Sequence, residues 1–185
     1  MEIIRAFFAI DLTVTLRTHL TEILAPFKTA HQDISIHWSE PEHFHITLQF
    51  IRAFAREDIH LLIENVKHSL RYSRRFKVKL HELELFPSPR YPRMIAISIE
   101  PNEALSVLAK QIGQGILATN YAIEKRPFRP HLTLGRFNKR PPENFSFAEV
   151  PAVNDINIII NKVFLYESHP QARCSRYLLL HEFNL

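Results

Sequence analysis

One tetrapeptide pattern, His-apolar-Thr-Leu, occurs twice in the chain, at residues 45–48 and at residues 131–134. With eleven histidines, eight threonines and twenty-one leucines in 185 residues, chance would supply about 0.05 copies of His-x-Thr-Leu with any residue at the second position. Side chains on a strand point alternately to opposite faces, so each copy presents His and Thr on one face and two apolar residues on the other. The repeat therefore predicts two equivalent strands, each with one imidazole and one hydroxyl side by side on the same face.

The segments around the two motifs alternate between strand-like and helix-like patterns. Asp11 or Thr13 is suited to cap the first helix, which carries apolar residues at helical spacing from Leu16 to Phe27, and Asn102 is suited to cap a later one. The predicted strands cover residues 3–10, 35–38, 44–51, 76–86, 94–99, 131–137, 156–166 and 175–183. Helices are predicted after Thr13, over residues 56–70 and 102–118, and in a short piece near Glu143.

The same order of strands and helices appears in the first half of the chain and roughly again in the second. This order predicts an α+β fold of two pseudo-symmetric lobes, each a small, mainly antiparallel sheet faced by helices, with a central cleft. We expect residues 1–185 to form one bilobal domain. If an approximate twofold axis relates the lobes, the two motifs face each other across the cleft.

Three glycines and one cysteine exclude several functional classes. A Walker loop and a dinucleotide fingerprint both need glycine at several fixed positions. Cys174 alone forms no intramolecular disulfide and no Cys-x-x-Cys zinc site, which favours a reducing compartment. The apolar run between Arg5 and Asp11 is too short for a signal-peptide core or a membrane span, so we expect a cytoplasmic protein.

The two motifs together suit metal-free phosphodiester chemistry. Imidazole titrates near neutrality, so one histidine can take a proton from the attacking oxygen while the other gives one to the leaving oxygen. Thr47 and Thr133 would donate hydrogen bonds to the phosphate oxygens. The formal net charge of +4 agrees with an anionic partner, although a solvated, slightly basic surface is an equally simple explanation.

Two other interpretations remain open at this stage. One motif taken alone reads most simply as a buried histidine that a neighbouring hydroxyl satisfies. A metal hydrolase is the second alternative, because histidine is a common metal ligand and four histidines lie close together in the sequence. These are His31, His37, His43 and His45.

The paired motifs, about ninety residues apart, resemble those of the 2H phosphoesterase superfamily, specifically the bacterial RNA 2′,3′-cyclic phosphodiesterases, also called 2′-5′ RNA ligases. The resemblance extends over the opening residues 5–10, the Trp38 segment, residues 86–90 and residues 126–136. It implies hydrolysis of RNA 2′,3′-cyclic phosphate ends to 2′-phosphomonoesters and reversible 2′-5′ ligation. The expected substrate is RNA with 2′,3′-cyclic phosphate ends or tRNA half-molecules. We expect no metal, no other cofactor, no membrane association and no protein partner, and a monomer is the default.

The resemblance also implies roles for individual residues. It makes His45 the catalytic acid and His131 the catalytic base, although the symmetry of the two motifs by itself does not distinguish them. It makes Thr47 and Thr133 phosphate-binding hydroxyls.

At the fifth position after each histidine, the resemblance makes Arg136 a further phosphate ligand and places Phe50 beside the nucleobase. Strict strand alternation would turn both side chains to the apolar face. Glycine in a strand often marks a bulge, so a bulge at Gly135 would turn Arg136 back to the polar face. No glycine precedes Phe50. Phe50 therefore reads equally well as a core residue.

Basic residues beside the motifs are candidates for lining the path of the RNA, with solvated loop charge as the alternative. Arg129 is the substrate-binding candidate among them, and the others are Arg126, Arg90 and Arg93. Two segments depart from the family pattern. Residues 94–98 lack a common tryptophan, and Ile51-Arg52 stands where the family often has Leu-Gly.

Two functional alternatives accompany the resemblance. The chain would be a non-catalytic module that binds RNA ends, or a 2H phosphodiesterase that acts on another small cyclic nucleotide.

Overall fold

The structure is a computed structural model that describes residues 2–147, 153, 156–171 and 175–185. Cys174 lies outside these residues. Within them the chain forms the following strands and helices in order: β1 (Ile3–Asp11), α1 (Val14–Ala30), β2 (Ile36–Trp38), β3 (His45–Ala55), α2 (Ile59–Leu70), β4 (Phe76–Phe86), β5 (Met94–Glu100), α3 (Glu103–Ala118), β6 (His131–Phe137), β7 (Asn157–Ile160), β8 (Lys162–His169) and β9 (Arg176–Asn184).

The strands form one antiparallel sheet in the order β7-β4-β5-β6-β3-β1-β8-β9, and β2 pairs with β6 beside this path. The order divides at the β6/β3 contact into two halves of four strands, β6-β5-β4-β7 and β3-β1-β8-β9. The two motif strands are therefore the innermost strands of the two halves. This arrangement confirms the predicted α+β fold with two related halves.

The sheet is strongly curled. β7 lies at one end of the strand order and β8 lies in the other half, yet only Asn161 separates them in sequence. Because one residue spans so short a distance, the two ends of the sheet must approach each other. The predicted single strand over residues 156–166 is therefore wrong: it is two strands that serve different halves of the sheet.

The core is one continuous cluster of buried apolar side chains, to which the inward faces of the strands and all three helices contribute. α1 begins where the Thr13 hydroxyl accepts a hydrogen bond from the backbone N–H of Leu16, and it buries Leu20, Leu24 and Phe27. This cap agrees with the sequence prediction. A capping oxygen satisfies one of the N–H groups that a helix start leaves without an intrahelical partner.

α2 and α3 pack closely against each other, and α3 also packs against β3. A Cβ atom on Gly115 of α3 would lie 2.7 Å from Cγ2 of Val66 in α2, so the small residue permits the close approach. Gln49 of β3 donates a hydrogen bond from Nε2 to the carbonyl oxygen of Ala109 in α3, at 3.0 Å. The Gln49 hydrogen bond joins β3 to the helices on this side of the sheet.

Several predicted boundaries differ from the structure. Residues 56–58 form a 3-10 turn before α2, β3 continues to Ala55, and Asn102 precedes α3 without a side-chain capping hydrogen bond. The predicted helix near Glu143 is wrong. The N–H of Phe145 donates to the carbonyl of Pro142 and closes a single turn, after which the Phe145 ring packs against Phe27 and Phe137. No helix in the described part of the chain is long and apolar enough to cross a membrane.

Candidate active site

The two motifs meet where β3 and β6 touch. Ile46 of β3 pairs with Leu132 of β6, and both side chains are fully buried. Residues on either side of a buried strand position point to the opposite face, so the flanking histidines and threonines project away from the core. Antiparallel strands run in opposite directions, which sets His45 across from Thr133 and His131 across from Thr47.

Both histidines are anchored in the same way. Nδ1 of His45 lies 2.7 Å from the carbonyl oxygen of His43, and Nδ1 of His131 lies 2.8 Å from that of Arg129. A carbonyl oxygen only accepts hydrogen bonds, so Nδ1 carries the proton in each ring. The Nε2 atom of each imidazole is therefore the position that accepts a proton in the neutral form and donates one in the charged form.

Aromatic rings surround His45. Its ring centroid lies 5.1 Å from that of Phe7 in β1 and 5.5 Å from that of Tyr177 in β9, the latter at a right-angled contact. The pKa of His45 is lowered to about 4, mainly by burial. The nearby positive charges of His43, His131 and Arg17 act in the same direction, and the hydrogen bond to the His43 carbonyl opposes them. This imidazole is therefore neutral at physiological pH.

One face of His131 is covered by Phe86, at the end of β4. Their rings stack with centroids 4.1 Å apart, and the guanidinium of Arg129 lies over the same phenyl ring at 4.7 Å. Burial lowers the pKa of His131, and the charges of Arg136 and Arg129 act in the same direction, against the hydrogen bond to the Arg129 carbonyl. Both imidazoles are thus biased toward the neutral form.

Arg136 reaches the cleft because β6 contains a bulge. In the pairing of β5 with β6, Ile95 faces Gly135 and Ala96 faces Thr133, so Leu134 is an extra residue on β6. Leu134 and Gly135 are consequently buried in succession, and Arg136 returns to the polar face. The strand irregularity that Gly135 suggested is present.

Phe50 is turned into the cleft by the same device. In the pairing of β1 with β3, Phe8 faces Gln49 and Ala9 faces Thr47, so Leu48 is the extra residue. The expectation that no irregularity precedes Phe50 is therefore wrong, because a bulge does not require glycine. The bulge falls three residues after the histidine in both motifs.

The polar face of the second motif contacts Met94 of β5. The Thr133 hydroxyl lies 3.5 Å from the Met94 sulfur, and Nη1 of Arg136 lies 3.9 Å from it. A thioether is a weak hydrogen-bond acceptor. Both donors are therefore ready to exchange this sulfur for the oxygens of a bound anion.

Six of the predicted residues line one cleft of about 410 Å³: His45, Thr47, Phe50, His131, Thr133 and Arg136. Arg129 is placed differently, because it donates to the carbonyl of Pro87 at 2.8 Å and to Glu84 at 2.9 Å, in the wall of an adjoining cavity. The structure therefore brings the two motifs, Phe50 and Arg136 together in one cleft. Arg129 instead stabilises the loop at Pro87.

Other cleft residues had no assigned role from the sequence. Arg5 and Phe7 share one face of β1, which the alternation of that strand would have indicated once its pairing with β3 was known. Tyr177 of β9 and Ser168 of β8 also line the cleft, and no local sequence pattern indicates that they do. His37 and His43 of the four clustered histidines line the cleft as well, whereas the ring of His31 packs on Phe27.

Within residues 2–147, 153, 156–171 and 175–185, no group of three or more His, Cys, Asp or Glu side chains is arranged to hold a metal ion. What the cleft offers is two proton-transfer groups, two hydroxyls and a guanidinium around one point. Such a set can bind an anion and move protons on opposite sides of it.

The chain matches the family model described as the 2′-5′ RNA ligase superfamily over residues 37–171. It is similar to the protein named RNA 2′,3′-cyclic phosphodiesterase of Methanothermobacter thermautotrophicus, with 31% identity over 147 residues, 80% of this chain and 78% of that protein. It is also similar to the Bacillus subtilis protein of the same name, with 28% identity over 71% of this chain and 72% of that protein.

Solved structures share the fold at low sequence identity. A structure from Thermus thermophilus superposes with a TM-score of 0.78 at 24% identity, covering 98% of this chain and 97% of that one. Escherichia coli LigT, solved in complex with 3′-AMP, superposes with a TM-score of 0.76 at 22% identity, covering 100% of this chain and 99% of that one. Both matches cover almost the whole of this chain.

Proposed function

The chain belongs to the 2′-5′ RNA ligase superfamily, and from this premise we propose that it is an RNA 2′,3′-cyclic phosphodiesterase that forms 2′-phosphomonoesters. The observation that carries the proposal is the matched anchoring of His45 and His131. Each Nδ1 is held by a backbone carbonyl two residues earlier, which leaves both Nε2 atoms for proton transfer in one cleft. A structural role for one buried histidine would not explain why a second histidine is anchored in the same way in the same cleft.

In the proposed reaction, the terminal cyclic phosphate binds between the two motifs. A water oxygen attacks phosphorus and the bond from phosphorus to the 3′ oxygen breaks. Nε2 of one histidine takes the proton from the water, and Nε2–H of the other gives a proton to the 3′ oxygen. The 2′ ester remains, and the two histidines exchange protons with solvent before the next cycle.

Three donors are positioned for the negative charge that grows on the phosphate oxygens. Thr47 and Thr133 flank the histidines, and Arg136 lines the same cleft. Preorganised donors stabilise such charge without reorganising during the reaction. A bound phosphate anion also raises the pKa of an adjacent imidazole, which counteracts the effect of burial and lets one histidine hold the proton that it must give.

The family pattern makes His45 the acid and His131 the base, and we retain that assignment within the proposal. We propose in addition that an RNA 5′-hydroxyl can take the place of water. Its oxygen attacks the phosphorus of a 2′,3′-cyclic phosphate end and gives its proton to the basic histidine, while the bond from phosphorus to the 3′ oxygen breaks and the 3′ oxygen takes a proton from the acidic histidine. The product is a 2′-5′ phosphodiester, and the opposite proton transfers cleave it again. All the proposed groups belong to one chain, so the site is complete in a monomer.

Phosphorus NMR of the purified protein incubated with a nucleoside 2′,3′-cyclic phosphate, with and without excess chelator, tests the proposal. We expect the 2′-monophosphate to form at the same rate in both samples. A 3′-monophosphate would contradict the proposed direction of ring opening, loss of activity with chelator would favour a metal hydrolase, and no product would favour an RNA-end binding module.

A further inference from the structure

A second cavity, of about 670 Å³, opens beside the cleft and shares Arg5 and Phe50 with it. We call this cavity the basic groove. Its charged and aromatic lining consists of Arg5, Phe50, Arg52, Glu124, Lys125 and Arg126. Because two side chains form walls of both cavities, a ligand too long for the cleft can continue directly into the groove.

The basic groove is strongly positive. Its four cationic side chains face one carboxylate, Glu124, which leaves an excess of three positive charges. Glu124 holds Arg126 at 2.6 Å and lies 3.9 Å from Arg52. Both arginines remain largely exposed, with side-chain exposures of 79% and 83%. Exposed arginines that are shared with a single carboxylate retain donors for the phosphates of a polyanion.

Arg5 joins the two cavities electrostatically. Its guanidinium lies 5.3 Å from the centroid of the Phe50 ring, at the boundary between cleft and groove. An arginine held over an aromatic ring keeps its edge free for hydrogen bonds to phosphate. Positive charge therefore continues from Arg136 in the cleft through Arg5 to Arg52 in the groove.

An RNA end cannot occupy the cleft alone. When its terminal cyclic phosphate lies between the motifs, the remainder of the strand must leave the cleft through a neighbouring opening. We propose that the basic groove binds the phosphodiester backbone that precedes the terminal nucleotide, which makes the protein selective for oligonucleotide ends over mononucleotides. This inference rests on the proposed function, because that function places the end of the strand.

The test compares kcat/KM for a nucleoside 2′,3′-cyclic phosphate with that for a trinucleotide carrying the same terminus. We expect the trinucleotide to be preferred by about tenfold in low salt, with the preference shrinking as salt is added, because backbone contacts release counterions. In the variant R52E/K125E, the ratio of the two kcat/KM values should fall by at least about fivefold. The control R74E/R75E makes the same charge change in the exposed loop after α2 and should leave the ratio as in the wild type.

A ratio that is unchanged in R52E/K125E, or that falls equally in the control, would overturn the inference. Fluorescence anisotropy of a labelled trinucleotide that ends in a 2′-phosphate measures binding to the groove without turnover. If the wild type hydrolyses neither substrate, the proposed function fails, and the anisotropy measurement still shows whether the groove binds RNA. Weaker binding in R52E/K125E than in R74E/R75E supports the groove, and equal binding rejects it.

Discussion

His45 and His131 share one anchoring geometry but lie in different surroundings. The first is enclosed by Phe7 and Tyr177, and the second stacks on Phe86 and lies near Arg136. Burial is the main cause of the lowered pKa in both, and it brings the pKa of His45 to about 4. Within the proposed mechanism, the histidine that acts as the acid therefore needs the anionic substrate to raise its pKa.

The pH dependence of kcat/KM follows from these two groups. In the proposed mechanism, the active form of the free enzyme holds one charged and one neutral imidazole, and the population of that form is largest between the two pKa values. Because both pKa values lie below the ordinary 6.5, we expect a bell-shaped profile centred on the acid side of 6.5. Steady-state rates between pH 4 and pH 9 measure it, and a maximum above pH 7 would contradict the account.

At the scale of the elements, the site depends on two bulges placed three residues after each histidine. They turn Phe50 and Arg136 into the cleft. The second bulge coincides with the close approach of β2, because a Cβ atom on Gly135 would lie 2.9 Å from Ile36 Cγ2 and 2.9 Å from Trp38 Cε3. Gly135 therefore permits the close pairing of β2 with β6 beside the bulge.

The substitution G135A should disturb this arrangement. The added methyl group forces β2 and β6 apart, which we expect to cost about 1–3 kcal/mol of the free energy of unfolding. Displacing Arg136 should lower kcat/KM between about tenfold and a hundredfold. Denaturant unfolding and steady-state kinetics measure the two effects.

G113A is the matched control. There the new Cβ meets only the ends of the Gln49 and Ile123 side chains, at 3.2 and 3.3 Å, and alanine favours the helix by about 1 kcal/mol. We expect kcat/KM to stay within about twofold of wild type. Equal losses of kcat/KM in G135A and G113A would show that Gly135 has no particular role in positioning Arg136.

The sequence predicts the strands around each motif well, because the alternation of apolar and polar residues is local. It indicates the bulge at Leu134 only because Gly135 follows, and it gives no sign of the bulge at Leu48, which lies in an ordinary strand pattern. Bulges are set by the register of the neighbouring strand, and that register depends on residues far away in the chain. The position of Phe50 therefore required the pairing of β1 with β3.

At the scale of the whole molecule, the curl of the sheet brings distant segments to the cleft. Tyr177 enters the site only because β9 pairs with β8 and β8 with β1. The repeat in the sequence predicts two related halves, but it cannot show that the halves share one sheet. Such long-range pairing leaves no local signal, which explains why Arg5 and Tyr177 had no role assigned from the sequence.

Burial of His45 also couples folding to pH. In the unfolded chain the imidazole takes a proton near pH 6.5, whereas in the folded protein it does so near pH 4. Below pH 6.5 the unfolded state therefore binds more protons, so this contribution to stability is complete above pH 6.5 and is lost as the pH falls toward 4.

H45N isolates this contribution, because the variant keeps every other histidine. Between pH 7.5 and pH 5 we expect the wild type to lose about 2 kcal/mol more free energy of unfolding than the variant. Urea unfolding at the two pH values measures the difference. An equal pH dependence in both proteins would show that His45 is not held neutral by the fold.

If His45 and His131 act as one proton-transfer pair, their loss shows most directly in kcat on a nucleoside 2′,3′-cyclic phosphate. We expect H45A and H131A each to lower kcat at least about a thousandfold while remaining folded by circular dichroism. The double variant should be little worse than either single one, because groups that act as a unit are not additive. Turnover within about tenfold of wild type in either single variant would contradict the two-histidine mechanism.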